Sequence, residues 1–159
     1  MRYTEFKFPN YAHRPGKTTH PNQEGGHSYQ KSEPVTEELN AENYRDHEIY
    51  LFGLDLYNHQ YFWEAHVYWE ACWHKVGRKG TVANFLKSLI LLSAGRLKDL
   101  LNQPEPASTH WLRSVELLES VDSSSFMGID TDKLKRDIEK LRESSERGET
   151  LQHVLELDR

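Results

Sequence analysis

Apolar positions recur at helical spacing from residue 42 to 121, and no stretch alternates in the two-residue rhythm of a half-buried strand. In "NAENYRDHEIYLFGLDLYNHQ", Tyr44, Ile49, Phe52 and Leu56 predict a first helix from about Glu42 to Asn58. "YFWEAHVYWEACWHKVG", residues 61–77, is a second helix, and Gly77 suits a left-handed cap at its end. A third starts near Thr81, a residue type that caps helix N-termini, and puts Phe85, Leu86, Leu89, Leu92, Ser93, Leu97 and Leu100 on one broad stripe. The fourth opens on Pro104 and Pro106, where the missing N–H costs nothing, and carries Trp111, Val115, Leu118 and Val121 as its buried stripe. After the loop "DSSSFMG", Asp130 caps a fifth helix whose Leu134, Ile138 and Leu141 form a narrow seam between charged positions, so this helix belongs on the surface. The closing "ETLQHVLELDR" reads as a short helical turn or a frayed tail.

The first 35 residues break the pattern. They hold four of the six prolines, and Pro15-Gly16, His20-Pro21 and Gly25-Gly26 interrupt any period. Tyr3, Phe6, Phe8, Tyr11 and Tyr29 nevertheless supply apolar anchors that a disordered segment lacks. The expected architecture is all-α: a bundle of about five helices over 36–159, with core 42–121 and a surface helix at 130–147, and an irregular arm, 1–35, packed over it.

The second helix holds three of the four tryptophans. On a helical wheel Phe62, Ala65, Trp69, Cys72, Trp73 and Val76 share the core arc. His66 and Glu70 fall on its edge, with Trp63 just beyond, while Glu64, Ala71 and Lys75 point away. His66, Glu70 and Trp73, spaced i, i+4 and i+7, thus form one ridge where the core meets whatever covers it. Such a pair suits acid–base chemistry or metal binding, with Glu70 fixing the imidazole tautomer, or a plain hydrogen bond sealing the bundle edge. Two ligands are too few for zinc or iron, which want three or more. His13, His20 and His27, spaced by seven in the arm, would supply the rest if the arm crosses the second helix and reaches His66. Arg96, at the edge of the third helix's stripe, either pairs with Glu70 or snorkels to water.

Composition narrows the classes. A net charge of −5 without any Lys/Arg cluster argues against nucleic acid. The apolar runs are far too short to span a bilayer, and the N-terminus carries no apolar signal-peptide core. Cys72 is the only cysteine, which fits a reducing, cytoplasmic setting and a role as a small buried hydrophobe. No glycine-rich phosphate loop, nucleophile elbow or paired-cysteine ligand set is present.

"HVYWEACW" fits His-x-x-x-Glu-x-x-Trp, and with "LYNHQYFWEAH" before it and "FLKSLILLSAGRLK" after it the chain resembles the domain of unknown function 309 family. "YAHRPGKTTHP" and "GHSY" are similar to an arm found in a subgroup of that family. The resemblance implies a small all-helical protein of the bacterial and archaeal kind. It matches His66, Glu70 and Trp73 to the motif, and Asn58, Glu64 and Lys98 to positions common near it. The family often has Glu at the place of Val67, Gln or Lys at the place of Leu91, and a proline soon after the tryptophan. The same stretch is similar to a tetratricopeptide helix pair, but no second copy occurs at that family's period.

These readings leave two classes. The favoured one is a binding or interaction module whose aromatic-lined polar groove, at His66 and Glu70 with Trp73, Asn58, Trp63, Arg96 and Lys98 around it, takes a small molecule or a peptide. The other is a metal-assisted hydrolase, or another enzyme, using His66 and Glu70. The only cofactor the residues suggest is a divalent metal, with His66, Glu70, His20 and His27 as candidate ligands. The apolar circumference of "FLKSLILL" further suggests a homodimer whose seam buries Leu91.

Overall fold

A computed structural model describes residues 1–158, and the chain is a bundle of five α-helices: α1 Glu48–Asn58, α2 Phe62–Lys75, α3 Thr81–Leu100, α4 Pro104–Ser120 and α5 Thr131–Glu146. A 3-10 turn, Tyr44–Asp46, precedes α1. The first helix therefore begins later than Glu42, because His47 is its N-cap. The buried His47 ring accepts the Tyr50 N–H on Nδ1 and meets the Glu37 carbonyl through Nε2. A two-residue hairpin, β1 Ser125–Phe126 against β2 Ile129–Asp130, occupies the loop before α5 and is, among the described residues, the one strand pairing in an otherwise helical fold. The Asp130 side chain accepts from Lys133 N and starts α5. Gly77, at φ +85°, turns the chain after α2.

Two helix hairpins, α1–α2 and α3–α4, are copies of one design. Gly53 admits the Trp69 indole and Gly95 admits the Trp111 indole; a Cβ at either glycine would collide with the ring nitrogen. Each indole N–H donates to a carbonyl of the facing helix, Tyr50 at 3.3 Å and Leu92 at 3.1 Å, and in both cases donor and acceptor lie 19 residues apart. A second copy of the helix pair thus exists, at a longer spacing than the tetratricopeptide period. Both tryptophans are fully buried and anchor a continuous core with Phe52, Phe62, Phe85, Leu89 and Leu118, closed by Ile138 of α5.

The arm runs over the first hairpin and has no regular secondary structure. Buried Asp55 receives its start: Tyr3 N at 2.7 Å, Thr4 N at 2.9 Å and Thr4 Oγ1 at 2.7 Å. Phe6 meets Phe52 edge-on, and Phe8 stacks on Tyr61 with centroids 5.0 Å apart. The chain's end is neither helical nor frayed through residue 158. Asn58 donates to Leu155 O and accepts from Leu155 N, and Asp158 N reaches Gly128 O. The last residue of that predicted segment, Arg159, lies outside the described residues. No described helix is long and apolar enough to cross a membrane.

Candidate functional site

The face of α2 that the helical wheel assigns to solvent lies beneath the arm. Glu64 and Ala71 are each 2% exposed, so the expectation that they point away is corrected; of the three, Lys75 alone is open. Glu64 Oε2 accepts the His13 backbone N–H at 2.9 Å and lies 2.6 Å from His27 Nε2. Its other oxygen, Oε1, is buried without any hydrogen-bond partner. Arg14 closes the corner by donating to Gln60 O and His13 O.

The arm histidines do come together, around Trp63 rather than His66. The rings of His13, His20 and His27 stand edge-on to the indole at 5.6, 5.7 and 6.0 Å. Burial, and next to it the neighbouring His20, holds the His13 pKa below its ordinary value, and its Nδ1 meets Thr18 Oγ1. Beside this cluster a cavity of about 510 Å3 opens between arm and helix. Phe8, Phe52, Trp63 and Tyr68 give it ring faces, Glu64 and His27 its hydrogen-bonding groups, and the exposed Lys7 and Lys31 its cations.

His66 and Glu70 meet at 2.7 Å through Nε2 and Oε2, with side chains 33% and 36% exposed. Their neighbours differ from those the wheel suggests. Arg96 neither pairs with Glu70 nor reaches water: it is 3% exposed, packs over the Phe62 ring at 5.0 Å and donates through Nη1 to Leu151 O. Asn58 likewise holds the C-terminal tail. Trp73 carries the Lys87 ammonium over its ring at 4.7 Å. Lys98 lies beside His110 of α4, whose pKa is lowered first by burial and then by Lys98 and His66.

Of the candidate metal ligands, only Glu70 falls in a group of three donors. One donor atom from each of Glu33, Glu70 and His74 lies within 4.8 Å of the others, and His20 and His27 take no part. Glu33 and His74 were missed by the sequence reading, as was the cavity's use of Lys7, Lys31 and Phe8. The signal available for His74 was its i+8 spacing from His66; nothing local pointed to Glu33. Cys72 is buried, its thiol pushed up to about 12 by burial, so it packs and does not react.

A family model described as a domain of unknown function (DUF309) matches residues 50–109, from the first turn of α1 into α4. No curated protein matches the chain.

Proposed function

For this chain, similar to the DUF309 family over residues 50–109, we propose a binding function: the chain holds a small molecule in the cavity between its arm and α2. This reading keeps the binding class expected from the sequence and puts the ligand at Glu64 instead of at His66 and Glu70. The observation that carries it is the unpartnered Glu64 Oε1 in a residue that lines the cavity. A buried acceptor without a donor costs about 1–3 kcal/mol, and a small rotation of the Glu64 carboxylate toward the cavity would let an N–H or O–H of a bound molecule offset it. The volume is of the size that takes small organic ligands. Four rings offer flat apolar faces, and neither Lys7 nor Lys31 has a carboxylate partner among the described residues. A planar molecule with a donor at one end and an acidic group at the other matches these features; a peptide side chain of the same chemistry is the bulkier variant.

Extraction of the purified full-length chain under denaturing conditions, followed by mass spectrometry, identifies a retained molecule. A panel of aromatic heterocyclic carboxylates is then titrated against tryptophan fluorescence. Saturable quenching is expected, weakened by Lys31→Glu, which changes an exposed residue. An empty extract together with a panel that quenches nothing sinks the reading.

A metal-assisted hydrolase, or another enzyme using His66 and Glu70, is favoured by one observation, the grouping of Glu70 with Glu33 and His74. It is the weaker reading because a pair one-third open to solvent lacks the low dielectric that strengthens acid–base chemistry. Ester hydrolysis stimulated by Mn2+ and lost in Glu70→Gln would reverse that preference. The homodimer is a further expectation: Leu91 is half-buried in the single chain. Light scattering that finds a monomer insensitive to Leu91→Lys removes it.

A further inference from the structure

We propose a divalent-cation site formed by Glu33, Glu70 and His74, in which His66 positions Glu70. It goes beyond the cavity reading and does not depend on it. The site is assembled from two parts of the chain. Helix α2 presents His66, Glu70 and His74 at i, i+4 and i+8, one above the other on a single ridge. The end of the arm brings Glu33 onto that ridge, its Oε1 2.7 Å from His74 Nδ1. Donor atoms within 4.8 Å of one another need only small adjustments, the Glu33–His74 pair opening from 2.7 Å, to reach the spacing of about 3.4 Å that ligands take around a tetrahedral zinc ion. Side chains this open to solvent make such a shift by small rotations; Glu33 is 47% exposed and His74 31%.

Charge points the same way. Neither carboxylate has a lysine or arginine partner among the described residues; each is paired only with a histidine. The nearby cations are spent on the indole: Lys87 and Arg78 both lie over Trp73. Both carboxylates thus stand without a salt-bridge cation. One nitrogen and two carboxylate oxygens form a donor set for zinc, manganese or ferrous iron, and three protein ligands leave a position for water. His66, donating Nε2–H to Glu70 Oε2, holds the ligating carboxylate in place, the outer-shell role that tunes metal affinity.

The repeat supplies a second argument. At the places in α4 that correspond to His66, Glu70 and His74, the other hairpin has Ser108, Leu112 and Glu116, while it keeps the glycine and the buried tryptophan. The hairpin therefore folds without this histidine–glutamate–histidine set, so the set on α2 is not a requirement of the hairpin's packing.

The test is calorimetric titration of tag-free, chelator-treated full-length protein with ZnCl2, alongside Glu33→Gln, His74→Ala and His20→Ala. The expected result is one zinc bound with a Kd in the micromolar range or below. Glu33→Gln and His74→Ala should each weaken it by about tenfold or more, and His20→Ala should leave it unchanged. Glu33 is exposed, so its variant keeps the fold, which melting curves verify. Wild-type protein that binds no zinc at about 100 µM overturns the proposal. So does wild-type affinity in either ligand variant, or a loss on His20→Ala, which would put the ion among the arm histidines.

Discussion

At Glu64 a single carboxylate oxygen serves two groups of the arm, so truncating the side chain strands both the His27 imidazole and the His13 N–H. Removing one member of a buried pair costs about 3–5 kcal/mol, and the orphaned Oε1, which vanishes with it, brings the expected loss for Glu64→Ala to about 3 kcal/mol. Glu70→Ala breaks a pair one-third exposed and should cost less than about 1 kcal/mol. Urea midpoints of the two variants decide this, and equal losses would mean that the arm does not rest on Glu64. The order is the reverse of what the wheel implies. A wheel assigns the face opposite the core to water, and it cannot register a cover arriving from elsewhere in the chain. The arm's aromatic anchors were the available hint that such a cover exists. Arg96 and Asn58 illustrate the same limit, since both bind a C-terminal tail with no periodic signature.

Among the elements, the helices with strong stripes were legible: α2 through α5 lie where their apolar periods put them. The start of α1 was not, because histidine is an uncommon cap, and His47 accepts on Nδ1 while its Nε2 meets Glu37 O and Thr36 Oγ1 of the preceding segment. The duplicated hairpin was hidden for a different reason. What the copies share is a glycine and a tryptophan at matched spacing, two positions too few to stand out against divergent neighbours. The copies differ where the arm lands. Asp55 of α1, which takes three hydrogen bonds from Tyr3 and Thr4, corresponds to Leu97 in α3. Asp55→Asn exchanges an acceptor-only carboxylate for an amide whose NH2 cannot accept from those donors. The first ten residues should then be cleaved by protease several-fold faster, while the bundle resists as before. Cleavage at the wild-type rate would show that Phe6 and Phe8 hold the arm without Asp55.

Across the whole molecule, the two ends of the chain close on each other and on the bundle. The Tyr3 hydroxyl of the arm accepts from Leu157 N of the tail, and the tail reaches α1, α3 and α5 through Asn58, Arg96 and His153. His153 is the pH-sensitive member of this closure. Its Nδ1 lies 2.7 Å from the hydroxyl of fully buried Tyr57 and its Nε2 3.2 Å from Asp137 Oδ2. A neutral ring satisfies both, accepting from Tyr57 and donating to Asp137. A protonated ring has no lone pair for the tyrosine, whose burial leaves its hydrogen few alternatives. Burial lowers the His153 pKa to about 4, against the pull of Asp137 and with the push of Arg96. The folded-state value lies below the unfolded one of 6.5, so as pH falls from 6.5 toward 4 the unfolded chain takes up a proton that the folded chain refuses. Stability contributed by the neutral ring is thus present above pH 6.5 and declines on acidification, by roughly 3 kcal/mol over the window. Asp137, which Lys133 and His153 hold below the usual carboxylate range despite its burial, adds a loss of the same sign below its own unfolded value of 3.8. His13 and His110 are lowered as well, so the decline is shared and replacing one residue removes only part of it. Urea unfolding at pH 7, 5.5 and 4.5 should therefore give a shallower fall for His153→Gln than for the wild type, with the two converging at low pH. Parallel declines would mean that His153 takes up its proton as readily in the folded chain as in the unfolded one.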